Sequence, residues 1–119
     1  MEKQPKFCIA HIAMNTAGEA EARDITQLMQ TAFGISSQEG AKSYITGNVI
    51  EVIKGGYLGR NGHIAIGTPD IDAAVAYLEE KGLRFDPTTT EWDENGKKIV
   101  YLDHELAGFA LHLVRKELK

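Results

Sequence analysis

Four side chains of this sequence carry metal-binding chemistry at positions that repeat. "HIAMNT" (His11–Thr16) and "HIAIGT" (His63–Thr68) each open with histidine, while Glu51 in "IEVIK" and His112 in "LHLVR" hold matching places in a second pair of similar segments. Imidazole nitrogen and carboxylate oxygen together suit a divalent transition ion such as Zn, Ni, Mn, Fe(II) or Co, and a bound cation relieves the cost of burying Glu51. In a partly open site such an ion can hold two adjacent oxygens of a substrate and stabilise an enediolate, which lowers the barrier to proton movement between neighbouring carbons. Glu51, the one carboxylate of the four, is then the candidate catalytic base. A single histidine in an apolar strand is more often a hydrogen-bonded core residue. Four positions that obey one internal symmetry favour a metal site built from His11, Glu51, His63 and His112.

Those residues need elements to place them, and the repeat supplies two sets. After "HIAMNT", Thr16 and Glu19 have capping-box spacing, Ile25, Leu28, Met29 and Ala32 follow the helical period, and Gly34 suits a helix C-terminus. After "HIAIGT", Thr68 is placed to cap, Pro69 suits the first helical position, Ile71, Ala74, Val75 and Leu78 form an apolar stripe, and Gly82 ends it. Each helix is followed by three β-like runs, around "ISSQ", "KSYIT" and "NVIEVIK" in the first half and "LRFDPT", "KKIVYL" and "FALHLVR" in the second. The fold class is therefore α+β, with paired βαβββ modules over about 6–55 and 62–116 in a single domain spanning 1–119. "GGYLGRNG" connects the modules, and "EWDENGKK" makes a longer hairpin in the second. Alternation puts His11 and His63 on equivalent faces, and likewise Glu51 and His112, so adjacent opening and closing strands bring all four together.

Composition removes several other classes of function. With 13 basic and 17 acidic residues the formal net charge is -4, and no Lys/Arg cluster offers the field that nucleic acid or anionic lipid needs. No apolar run approaches the roughly 20 residues of a membrane span, and "MEKQPK" has no signal-peptide core, which reads as cytoplasmic. Cys8, the single cysteine, reads as a buried thiol in an apolar strand. His104 in "LDHELAG" has no repeat partner and reads as a solvated turn residue. Arg60 in the connector is placed to meet an anionic substrate. Tyr44, Tyr57, Trp92 and Tyr101 read as core or rim packing, with pocket lining as the alternative.

The paired βαβββ units, the opening "HIA" strands and the closing "IEVIK" and "LHLVR" strands resemble the vicinal oxygen chelate superfamily, which includes glyoxalase I, bleomycin and fosfomycin resistance proteins and extradiol dioxygenases. The resemblance covers about residues 6–116. It implies a curled mixed sheet with helices on its outer face, and metal ligands on the first and last strands of each unit, which map onto His11, Glu51, His63 and His112. It also implies a small-molecule substrate and a homodimer. Two departures stand out, since glyoxalase I has a glutamate where this chain has His112, and its basic residues for glutathione have no counterpart here. The leading expectation is a metal-dependent, glyoxalase-like lyase or isomerase acting on a small, anionic oxo compound. A non-catalytic binding, resistance or sensing module is the alternative, and an Fe(II) extradiol-type dioxygenase the second.

Overall fold

The apolar run around each opening histidine does form a strand, and the two strands lie against each other. The computed structural model describes residues 4–118. Its elements are β1 (Cys8–Met14), α1 (Glu19–Phe33), β2 (Ser37–Glu39), β3 (Ser43–Thr46), β4 (Ile50–Ile53), β5 (Gly62–Thr68), α2 (Ile71–Glu80), β6 (Phe85–Asp93), β7 (Gly96–Leu106) and β8 (Phe109–Arg115). Eight strands form one mixed sheet in the order β2-β3-β4-β1-β5-β8-β7-β6. Each closing strand runs parallel to its opening strand, β4 beside β1 and β8 beside β5. The two opening strands pair antiparallel at the centre. The α+β architecture of two βαβββ units is thus realised within one sheet.

Both helices cover one face. Ile71 and Ala74 of α2 pack with Val100 and Leu113, joined by Val75, Leu78 and Phe85, as the predicted stripe requires. Ala22 of α1 packs on Tyr44 and Val52, with Ile25 and Met14 beside them. The stripe of α1 is rotated from its expected position, because the small Ala22 and Thr26 are the buried residues and let the helix approach closely, leaving Leu28 57% exposed. Tyr44 accordingly belongs to this core. No helix among the described residues is long and apolar enough to cross a membrane.

Two helix starts differ from the expected ones. The N-cap of α1 is Gly18, without a side-chain cap, because the Thr16 hydroxyl donates to Ile53 O at 2.6 Å and ties the chain to the end of β4. Glu21 instead accepts from Ala17 N at 2.8 Å. The N-cap of α2 is Asp70, whose carboxylate accepts from Ala73 N at 3.1 Å, so Thr68 stays buried in β5 and Pro69 precedes the cap. Gly34 closes α1 in the left-handed region as expected. His104 lies on strand β7 and not in a turn, although it is exposed and bonds Asp103. Cys8 is half-buried, facing Gly67, and so is less enclosed than its apolar neighbours suggested.

The connector holds the centre of the sheet. A Cβ on Gly62, whose φ is +150°, would stand 1.9 Å from Ala13 O, and one on Gly59 would stand 1.8 Å from Gly62 O. Only glycine allows that approach. Arg60 lies away from the cleft described below, its backbone N–H donating to Glu105 at 3.0 Å.

Candidate metal centre

The register of the four central strands decides which side chains meet. Opposite residues in neighbouring strands share a face, and here His11 pairs with Ala65, which pairs with His112, while Glu51 pairs with Ala13, which pairs with His63. Each pair of polar groups therefore straddles a fully buried alanine. A methyl side chain leaves the space between them open. All four project from the face opposite the helices, where the sheet forms a cleft of about 710 Å³ that they line together with Ser43, Tyr57, Glu91 and Tyr101.

Three donor atoms form a tight triangle. His11 Nε2 and His63 Nε2 are 3.2 Å apart, and Glu51 Oε1 is 3.5 Å from the first and 3.4 Å from the second. An ion about 2.1 Å from each donor, at tetrahedral angles, holds them about 3.4 Å apart. The spacing fits such an ion. Ligand nitrogens of His11, His63 and His112 all lie within 4.8 Å of one another. His112 Nδ1 donates to Leu113 O at 3.1 Å, which fixes the ring and leaves Nε2 as a lone-pair donor. Ser43 Oγ donates to Glu51 Oε2 at 2.8 Å and so orients the carboxylate with its other oxygen toward the imidazoles. One buried nitrogen, His63 Nδ1, has no hydrogen-bond partner among the described residues. The donor chemistry and spacing thus fit a divalent transition ion, with His11, Glu51, His63 and His112 able to hold it.

Electrostatics favour the ionised form of Glu51 and the neutral rings of His11 and His112. A hydrogen bond from His63 holds the Glu51 carboxyl down at about 2 despite its burial, with Ser43 and the charge of the imidazoles adding to the effect. Burial pushes His112 down to about 4, so its ring is neutral near pH 7. Burial also lowers His11, outweighing the opposing attraction of Glu51. The Tyr101 phenol, whose ring centroid is 4.7 Å from that of His112, is raised by burial and stays protonated.

No family model matches the chain, and no curated protein matches it. Among solved structures it is similar to a methylmalonyl-CoA epimerase, at 18% identity and a TM-score of 0.68, over 99% of this chain and 100% of that one. A hypothetical protein from Bacillus halodurans C-125 is similar at 16% identity and a TM-score of 0.63, over 96% and 97% of the two chains. Homoprotocatechuate 2,3-dioxygenase from Brevibacterium fuscum is similar at 18% identity and a TM-score of 0.62, over 97% of this chain but 34% of the dioxygenase. The chain has the vicinal oxygen chelate fold. One chain supplies both modules here, and residues of both line the cleft.

Residues outside the repeat were harder to foresee. Ser43 has no distinguishing neighbours in sequence, and its role depends on β3 pairing with β4 so that Ser43 and Glu51 share a face. Tyr57 and Tyr101 line the cleft, whereas Trp92 is 65% exposed on the hairpin. Glu91 also lines the cleft, and only the irregular pairing of β6 places it there.

Proposed function

We propose that the protein is a metal-dependent lyase or isomerase of the glyoxalase type, moving a proton between neighbouring carbons of a small oxo compound. The observation that carries this reading is the convergence of His11, Glu51 and His63 within 3.5 Å, with His112 beside them, on the floor of an open cleft. A bound ion supplies Lewis acidity toward two adjacent substrate oxygens. The chain does the rest. His11, His63, His112 and the ionised Glu51 would hold the ion, Ser43 fixes the direction of that carboxylate, and the protonated Tyr101 offers a hydrogen bond to a developing oxyanion. Lys42 and Lys98 stand on the cleft walls and offer charge to an anionic substrate, whereas Lys54 is engaged by Glu39. The working form is proposed to be a homodimer in the cytoplasm.

The test is to purify the protein without a chelating tag, measure bound metals, and assay conversion of methylglyoxal adducts and small oxo acids. About one divalent ion per chain and turnover of at least one such compound are expected. Absence of metal, with no thermal stabilisation by added Zn, Ni, Mn or Fe(II), overturns the metal centre. Loaded protein that binds these compounds without converting any is a binding module instead.

A further inference from the structure

Glu91 is a second carboxylate of the cleft, and metal ligation leaves it without a task. It stands on β6, where residues 87–90 form an insertion between the pairs Asp86–Tyr101 and Glu91–Ile99. The Thr89 hydroxyl locks that insertion, donating to Asp86 O at 2.6 Å and accepting from Tyr101 N at 2.9 Å. Next to it Lys98 is an extra residue, since Ile99 faces Glu91 and Lys97 faces Trp92. Bulges of this kind re-aim side chains. Glu91 lies opposite Ile99, which lies opposite Val114, and all three line the cleft beside Tyr101 and His112. Its negative charge contributes to raising the Tyr101 phenol. Ion pairs among the described residues engage Glu39, Glu51, Asp72, Asp93 and Asp103, but not Glu91.

Glu51 is in the opposite situation. One oxygen is bonded to Ser43 and the other lies between two imidazoles, an arrangement that suits a ligand. We propose that Glu91, and not Glu51, is the general base of the proton transfer, reaching the substrate from the second module's wall; this rests on the lyase or isomerase reading. The Glu91 carboxylate takes a proton from the carbon beside the substrate carbonyl. The C–H electron pair becomes the carbon–carbon double bond of an enolate, and the carbonyl π pair moves onto oxygen. Protonated Glu91 then returns its proton to the former carbonyl carbon, while the proton of the hydroxyl on the first carbon passes to the enolate oxygen and leaves a carbonyl behind, so that no oxidant or reductant is consumed.

The experiment compares wild type, Glu91→Gln, Glu91→Asp and Glu51→Gln after loading with Zn or Mn. Metal content, oxalate affinity by calorimetry, and deuterium exchange into pyruvate and the 2-mercaptoethanol hemithioacetal of methylglyoxal are measured, the exchange as a function of pD. Glu91→Gln is expected to keep its metal and bind oxalate within about threefold, while exchange falls 10²–10⁴-fold, as losing a general base does. Glu91→Asp should recover part of the rate. Glu51→Gln should lose metal instead. Exchange at the wild-type rate in Glu91→Gln overturns the assignment, as does a parallel loss of metal or oxalate binding. Wild-type protein that loads metal yet exchanges neither probe overturns the proton-transfer reading and the role of Glu91 together.

Discussion

His112 and Glu51 face the same cleft under opposite electrostatic pressure, and pH should separate them. Burial holds His112 near 4, below the 6.5 of an unfolded histidine, and lowers His11 as well. The unfolded chain therefore binds more protons between about pH 6.5 and 4, and the sign of the linkage is that stability falls as pH falls through that window. Glu51, held at about 2 against 4.5, adds stability that is present above 4.5 and lost from there down to 2. The metal-free protein should keep a constant Tm above pH 7 and lose it progressively on acidification below 6.5, followed by circular dichroism. A Tm that is flat or rising from pH 7 to 4.5 contradicts the buried neutral histidines. Glu51→Gln replaces an anionic donor by a neutral amide and should weaken Zn affinity tenfold or more in competition with a chelating dye. Unchanged affinity removes Glu51 from the ligand set. These four positions were legible because the repeat and the alternation of strands together fix a face. Ser43 and Glu91 were not, because the first depends on the β3–β4 register and the second on two irregularities of pairing that no local pattern announces.

Elements hold the site through their ends and their closest approaches. Strand identity, helix number and order followed from periodicity, yet both helix starts were displaced, since Thr16 and Thr68 have capping chemistry but are drawn into tertiary roles in the sheet. Asp70 carries the cap that Thr68 was expected to make. Asp70→Ala should cost about 1 kcal/mol by urea unfolding, the usual loss for an N-cap, while metal content stays unchanged. A cost below a few tenths would mean that the bond to Ala73 contributes nothing. Gly62 is held to a stricter condition. A Cβ there would overlap Ala13 O at 1.9 Å, within the strand pair that carries His11 and His63. Gly62→Ala should therefore lower stability by several kcal/mol, in the range of strained backbone and overpacking combined, and loosen the metal site with it. A variant with wild-type Tm would show that β1 and β5 can separate without harm.

At the scale of the whole molecule, assembly and metal binding should be independent of each other. A short connector such as "GGYLGRNG" permits modules to pair within a chain or between chains. The β1–β5 pairing joins the modules of one chain and brings His11, Glu51, His63 and His112 together without a partner. Apolar side chains nevertheless remain outside the core, among them Phe33 at 67% exposure, Ile35 at 37% and Val49 at 46%, which is the kind of surface a second copy covers. Light scattering at micromolar concentration should report about twice the 13.1 kDa of one chain. Phe33→Glu places a charge on that surface and should shift the mass toward one chain. Metal content should stay at about one ion per chain in both states, because the four donors all belong to one chain. Loss of metal in step with dissociation would mean that the partner completes the site, and a wild-type protein that is monomeric at these concentrations would remove the dimer altogether.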